Sequence, residues 1–174
     1  MEMQSQSIQT LISAEEIQKR VQDLAAKIRK ETIRDQDWVV LVLLKGALFF
    51  ASDLCKHLPE HIQMECVRVS SYKGQRQSSG QVDFGVFPEV LGQNILVIDD
   101  ILDTGLTLER VSETLMSKGA AQVKTCVLLT KLHTQTHEVK ADYTGFTIPK
   151  AFVVGYGLDY QEKLRNLPYI GVLN

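Results

Sequence analysis

The sequence predicts an α/β domain built on a mainly parallel, twisted sheet flanked by helices. Three observations carry the prediction. Residues 38–44 (WVVLVLL) and 95–98 (ILVI) are apolar without interruption, as strands buried on both faces are. Each run leads, through a turn that contains a glycine, into a segment of helical periodicity. Strand and helix patterns then alternate along the chain, which sets parallel strands side by side through right-handed crossovers. At 174 residues the chain can bury a sizeable core and fits one domain spanning residues 1–174.

From the N-terminus, Ser13-Ala14-Glu15-Glu16 has the form of a capping box. Ile17, Val21, Leu24 and Ile28 then line one face of a helix ending near Lys30, whose opposite face is charged and faces water. The strand 38–44 is broken by Lys45-Gly46, and residues 47–58 form a second helix stopped by Pro59. Residues 62–70 alternate loosely, as a strand does. Residues 71–81 (SYKGQRQSSGQ) are polar and aperiodic, hence a loop, and 82–87 return as a hairpin partner. Pro88 and the run Gly92-Gln93-Asn94 punctuate before the central strand. The central helix ends near Lys118 with Gly119 as a left-handed C-cap. Residues 123–130 form a strand, 133–150 read as polar and irregular, 151–154 as a last short strand, and the tail from Tyr156 has a mixed pattern.

Composition narrows the function. Hydrophobic residues make up 44 % and charged residues 23 %, as in ordinary globular proteins. A net charge of −2 and the lack of a Lys/Arg block argue against a protein built to grip nucleic acid. Cys55, Cys66 and Cys126 match neither a disulfide framework nor a CxxC metal site, and read as reduced thiols of a cytoplasmic protein. The opening MEMQSQSIQT lacks the basic and apolar regions of a signal peptide, and no apolar segment is long enough to span a bilayer, so no membrane partner is expected. His57 and His61 are separated by Pro59, and His133 and His137 lack an HExxH pattern; neither pair reads as a metal site.

The chemistry concentrates in residues 95–108 (ILVIDDILDTGLTL). An apolar strand is followed by Asp99, Asp100 and Asp103, and Thr104-Gly105-Leu106-Thr107 opens a helix with Leu108, Val111 and Leu115 at helical spacing. In an open α/β sheet such a turn lies at the carboxyl edge, where ligands bind. Gly105 lets the backbone approach an anion, the free amides and dipole of the helix start favour negative charge, and Thr104 and Thr107 add hydroxyl donors. No Lys follows, so this is not the P-loop of nucleoside triphosphatases. Helix capping explains one Asp or Thr, not three acids and two threonines in nine positions.

The stretch resembles the phosphoribosyl pyrophosphate (PRPP) motif of type I phosphoribosyltransferases, in which an aliphatic strand, two adjacent acids and an acid-Thr-Gly-x-Thr turn bind PRPP and its 5′-phosphate. The resemblance implies that role for Asp99, Asp100, Asp103, Thr104, Gly105, Leu106 and Thr107. Phe152-Val153-Val154-Gly155-Tyr156-Gly157-Leu158-Asp159-Tyr160 is similar to the FVVGYxLDY segment of the hypoxanthine–guanine phosphoribosyltransferases. Its Gly155-x-Gly157 is not a Rossmann fingerprint, because Tyr160 stands at the third glycine position. By that resemblance Phe152 stacks on a purine, the Val153 backbone meets the base edge, and Asp159 supports base binding and magnesium, with Asp99 and Asp100 aiding the metal shell. Without it, Phe152 would be read as core and Arg165 as surface.

Other matches fall in the family's order. Lys45-Gly46, after the first core strand, corresponds to a Leu-Lys-Gly whose backbone meets pyrophosphate, often with the Lys-Gly peptide cis; Arg165 corresponds to an Arg on the same group. Ser71 and Tyr72 correspond to a lid that closes over substrate, which would shield a cationic sugar from water. Lys131 corresponds to a Lys that donates to the 6-oxygen of the purine, a donor wasted on the 6-amino group of adenine. The resemblance thus implies the type I phosphoribosyltransferase fold, with a small hood formed by N- and C-terminal segments. It implies purine salvage from PRPP and hypoxanthine or guanine, with Asp103 taking the N7 proton and Mg2+ as cofactor. It also implies a homodimer or homotetramer, with Phe49-Phe50 feeding an interface. Two departures stand out: Asp99 where many relatives have Glu, and Leu106 where some have Lys, which leaves only its backbone for phosphate. Two alternatives stay open. Some proteins of this fold are nucleic-acid-binding regulators, which do not need a carboxylate at position 103, and a xanthine-preferring enzyme would differ only in pocket detail.

Overall fold

The computed structural model of the protein describes residues 7–33, 36–71, 82–134, 136 and 139–173. After β1 (Ile8–Ile12), helix α1 (Ala14–Ile28) starts at the predicted capping box. Ser13 Oγ accepts from the Glu16 amide at 3.2 Å, and Glu16 Oε2 accepts from the Ser13 amide at 2.8 Å. A π-helical turn, Arg29–Ile33, extends α1 past the predicted end and buries Ile33. Then come β2 (Trp38–Leu44), α2 (Leu48–Cys55), β3 (Gln63–Ser71), β4 (Val82–Phe84), β5 (Asn94–Leu102), α3 (Leu106–Ser117), β6 (Gln122–Lys131), β7 (Tyr143–Ile148), β8 (Val153–Val154) and β9 (Ile170–Leu173).

The main sheet has the order β4-β3-β2-β5-β6-β7. Strands β3, β2, β5, β6 and β7 are parallel, and β4 closes the β3 edge as the antiparallel hairpin partner expected from sequence. Period-2 alternation divides the core between the faces. Val40, Val42, Leu96, Ile98 and Leu128 meet Ile17, Val21, Leu24 and Ile28 of α1 and Phe50 and Leu54 of α2. Val39, Leu41, Leu43, Ile95, Val97 and Val127 meet Leu108, Val111 and Leu115 of α3. Each such side chain contributes about 1.5–3 kcal/mol on full burial, so both faces anchor the central strands whose ends carry the site.

Three differences from the sequence reading have local causes. The central strand does not stop at Ile98: Asp99, Ile101 and Leu102 stay in register with Val127, Leu129 and Thr130 of β6, so the acid pair lies within β5. Residues 143–148, read as irregular, are strand β7, with Gly145 packed so close to the Leu128 carbonyl that a Cβ would overlap it. The mixed tail contains β9, which pairs with β1 and β8 in a separate antiparallel sheet of order β1-β9-β8. This small sheet is the hood of N- and C-terminal segments. The C-terminus of α3 agrees with its reading: Gly119 has φ +87°, and the amides of Gly119 and Ala120 donate to Met116 and Leu115 in a Schellman pattern. Phe50 is fully buried and belongs to the core rather than to a surface; Leu48 and Phe49 are the exposed apolar residues of α2.

One carboxylate ties the hood to the helices. Asp53 of α2 accepts from Tyr156 Oη at 2.7 Å, from Gln18 Nε2 of α1 at 2.9 Å and from Lys56 Nζ at 2.8 Å. Burial works to raise the Asp53 carboxyl, but the Lys56, Tyr156 and Gln18 hydrogen bonds together hold it below its ordinary value. Burial first, then the Asp53 carboxylate, raises the Tyr156 hydroxyl far above the usual phenol range, so it remains a donor.

Candidate active site

Of the predicted residues, Lys45, Gly46, Asp99, Asp100, Asp103 and Lys131 lie toward the carboxyl ends of β2, β5 and β6, where an open α/β sheet binds ligands. At the end of β2 the Leu44–Lys45 peptide is cis; the expected position was one residue later, between Lys45 and Gly46. Gly46 lies against β5, since a Cβ there would overlap the Asp100 carboxyl. Gly157, at φ +104°, lies against Gly46 in turn, since its Cβ would overlap the Gly46 carbonyl. The two glycines let the Gly157 and Gly46 backbones meet, and let the Asp100 carboxyl pack on Gly46, where a side chain would keep them apart.

Asp99 and Asp100 sit side by side in β5, and the Asp100 amide donates to Asp99 Oδ1 at 2.9 Å. Burial first, then the charge of Asp100, holds the Asp99 carboxyl well above its ordinary value. Burial raises Asp100 as well, opposed by hydrogen bonds from Asp99 and the backbone and by the charge of Arg165. A pair in this condition favours a neighbouring cation or a retained proton.

The turn after β5 is not closed by a capping side chain. The N-cap of α3 is Gly105, at φ +91°, with no side-chain cap hydrogen bond. Thr104 Oγ1 approaches the Leu106 amide at 3.4 Å. Asp103 turns instead to β6, where Lys131 Nζ donates to its Oδ2 at 2.9 Å; the Lys131 side chain is 14 % exposed. The loop after β6 fastens the turn by its backbone: Thr134 Oγ1 donates to the Asp103 carbonyl at 3.0 Å and the Thr136 amide to the Thr104 carbonyl at 3.1 Å.

Residues 8–161 match the phosphoribosyl transferase domain. The chain belongs to the phosphoribosyl transferase family. Over 165 residues it is 46 % identical to the hypoxanthine-guanine phosphoribosyltransferase of Bacillus subtilis (strain 168), covering 94 % of this chain and 91 % of that protein. A hypoxanthine-guanine phosphoribosyltransferase from Bacillus anthracis has a similar structure, with a TM-score of 0.89 at 36 % identity over 97 % of this chain and all (100 %) of that one. The hypoxanthine phosphoribosyl transferase of Trypanosoma cruzi gives a TM-score of 0.88 at 34 % identity over 100 % of this chain and 95 % of that one.

The predicted residues Phe152, Val153, Asp159 and Arg165 lie on the C-terminal segment. Phe152 is 52 % exposed rather than core, and its ring meets Tyr160 edge-on, with centroids 5.8 Å apart at 89°. Val153 beside it is buried. Arg165 is largely enclosed: Nη2 pairs with Asp159 Oδ1 at 2.8 Å and Glu162 Oε1 at 3.1 Å, and Nη1 donates to the Gly157 carbonyl at 2.7 Å. Its Nε is buried with no hydrogen-bond partner among the described residues. Lys45 Nζ pairs with Glu162 Oε2 at 2.6 Å. Hydrogen bonding by Lys45 first, then the charge of Arg165, holds the Glu162 carboxyl below its ordinary value. Glu162 did not stand out in the sequence, and Tyr160, which ends the FVVGYxLDY-like segment, had no role assigned to it. Ser71 ends β3 opposite Val82; Tyr72, the other lid residue, lies outside the described residues.

Among the described residues, no group of three or more His, Cys, Asp or Glu side chains could hold a metal ion, so Asp159 does not join Asp99 and Asp100 in one cage. No helix of the described residues is long and apolar enough to cross a membrane.

Proposed function

We propose that the protein is a purine salvage enzyme that transfers the phosphoribosyl group of PRPP to hypoxanthine or guanine, giving IMP or GMP and pyrophosphate. One observation carries this reading: the Lys131 ammonium and the Asp103 carboxylate stand 2.9 Å apart at one edge of the site. A 6-oxopurine carries O6 and N7 on one edge. Lys131 donates to O6 while Asp103 faces N7–H, and adenine would set an N–H donor against the ammonium instead. Phe152, with Tyr160 against its edge, offers an exposed aromatic face for the base, and the Val153 backbone meets the base edge.

The 5′-phosphate binds the amides from Asp103 to Thr107 and the hydroxyls of Thr104 and Thr107; Leu106 contributes its backbone alone. Asp99 and Asp100 face the ribose hydroxyls. Lys45, Gly46 and Arg165 hold pyrophosphate. As the C1–oxygen bond to pyrophosphate breaks, N9 bonds to C1 and the N7 proton passes to Asp103. Ser71 and Tyr72 belong to the lid that shields the cationic sugar.

Magnesium fits the donor set. The Asp99–Asp100 pair, raised first by burial, and the separate Asp159 supply few carboxylates, as suits an ion that takes its other ligands from water and substrate phosphates. When bound, it would neutralise charge on the pyrophosphate. The protein works in the cytoplasm as a homodimer or homotetramer. Exposed Leu48 and Phe49 on α2 supply apolar contact surface, and for the Trypanosoma cruzi relative the C-terminal region bears on oligomeric state and activity.

The test is steady-state transfer with PRPP and each of hypoxanthine, guanine, xanthine and adenine. Turnover with hypoxanthine or guanine and rejection of adenine are expected. No transfer to any base, with tight RNA binding at physiological salt, would replace the enzyme with a regulator.

A further inference from the structure

We propose that Glu162 is an internal stand-in for pyrophosphate: its carboxylate spans Lys45 and Arg165, and an incoming anion must displace it, so Glu162 sets how strong an anion the subsite accepts. The inference rests on the reading of Lys45, Gly46 and Arg165 as the pyrophosphate subsite, and it adds the Lys45 ammonium to the backbone contact expected there.

The geometry is that of a bound anion. Glu162 places one oxygen on each cation, Oε2 on Lys45 at 2.6 Å and Oε1 on Arg165 at 3.1 Å. Glu162 lies 117 residues from Lys45 in the chain, so the carboxylate bridges the β2 loop and the hood segment. The backbone sets Glu162 there. Tyr160 and Lys163 exchange both backbone hydrogen bonds, at 3.1 and 3.0 Å, around a two-residue turn. Its central residues, Gln161 and Glu162, have φ of +50° and +61°. Positive φ at both centres is the pattern of a type I′ turn, which favours Asn-Gly. A glutamate there holds an unfavourable backbone conformation, and such residues cluster at ligand clamps. The Glu162 amide also donates to Asp159 Oδ2 at 2.8 Å, a contact that does not need the side chain.

The contact is weak enough to be displaced. The Lys45 and Glu162 side chains are 51 % and 64 % exposed, so water and salt screen the pair. Pyrophosphate, with more charge and more oxygens, outcompetes one carboxylate, whereas a weaker anion such as orthophosphate gains less against it. Removing the carboxylate should therefore strengthen anion binding, the reverse of what loss of a ligand does.

The experiment is calorimetric binding of pyrophosphate and orthophosphate to the whole protein, parent against Glu162→Gln and Glu162→Gly, with Lys45→Met as the control. Glu162→Gln keeps the size of the side chain, and Glu162→Gly relaxes the turn. Expected is a roughly two- to fivefold gain in pyrophosphate affinity for both variants, shrinking as salt rises, with orthophosphate also gaining. Lys45→Met should weaken pyrophosphate. Unchanged or weaker pyrophosphate binding in both Glu162 variants, with Lys45→Met still weakening it, overturns the stand-in alone. Parental binding in Lys45→Met overturns the role of the Lys45 ammonium, and the stand-in with it, while the backbone contact of Lys45-Gly46 would stand.

Discussion

Asp103→Asn separates the proton-transfer role of this residue from its place in the turn. The backbone of the turn is held independently of the side chain, by Thr134 on the Asp103 carbonyl at 3.0 Å and the Thr136 amide on the Thr104 carbonyl at 3.1 Å. The asparagine oxygen can still accept from Lys131 Nζ, now at 2.9 Å from Oδ2, so only the charge of that bond is lost. Removing the carboxylate charge from a bond whose ammonium donor stays ionised costs about 1 kcal/mol, which bounds the structural effect. The 5′-phosphate is assigned to amides that the substitution leaves in place, so PRPP affinity should change by less than about tenfold. Turnover loses the N7 proton acceptor, a term of roughly 10²–10⁴ in rate, or about 3–5 kcal/mol of barrier. The assay is kcat with hypoxanthine beside equilibrium PRPP binding and a melting curve for both proteins. Near-parental kcat refutes the base assignment. A collapse of PRPP binding together with kcat refutes the view that the turn holds phosphate by its backbone.

Four further outcomes follow from the same geometry. Lys131→Gln should lose discrimination against adenine, since an amide both donates and accepts; sites that pair a buried polar group discriminate by roughly 10⁴-fold, and a variant that rejects adenine as strongly as the parent would remove Lys131 from base reading. Gly157→Ala should raise the KM for PRPP and lower stability by at least about 1–2 kcal/mol, the penalty of a left-handed Ala alone, because its Cβ overlaps the Gly46 carbonyl; parental KM and Tm would contradict that contact. Tyr156→Phe removes one of the hydrogen bonds to Asp53 and should lower stability by about 1–2 kcal/mol, or about 3–6 °C in Tm, with transfer retained. Because the folded Asp53 carboxyl is held low, its contribution is full above the unfolded pKa of about 3.9 and fades as pH falls through the folded value, so the gap between parent and Tyr156→Phe should narrow in acid; a constant gap down to low pH would deny the linkage. Excess chelator should abolish transfer, and full activity in chelator would remove magnesium from the mechanism.

Much of the scaffold was legible because it rests on local patterns. The Ser13 capping box, the run of β2 and the Gly119 C-cap are set by residues within a few positions of one another. What escaped depends on distant partners. Asp99 and Asp100 look like a loop, since acids rarely continue a buried strand, yet the ladder to β6 carries the backbone through them. Strand β7 contains a glycine and two threonines, and only its place beside β6, with Gly145 under the Leu128 carbonyl, makes it a strand. Phe152 has core chemistry but stands 52 % exposed, while Val153 and Val154 beside it are buried. The roles of Asp53 and Glu162 lie beyond local pattern: besides Lys56 and Arg165 three residues on, they join Gln18, Tyr156 and Lys45, 35 to 117 residues away.

The ion pairs of the site share one logic. Lys45 rests on Glu162, Arg165 on Asp159 and Glu162, and Lys131 on Asp103. A pocket for a polyanion needs several cations, and cations left close together without counter-charge repel one another and strain the loops that carry them. Carboxylates close to hand remove that repulsion when no substrate is present. Two of these carboxylates, Asp159 and Asp103, are the ones assigned to magnesium and to the N7 proton. Each meets a cation in this structure, Asp159 through Oδ1 and Asp103 through Oδ2. Glu162 has no such second task, which is why its removal should strengthen anion binding where the removal of Asp159 should not.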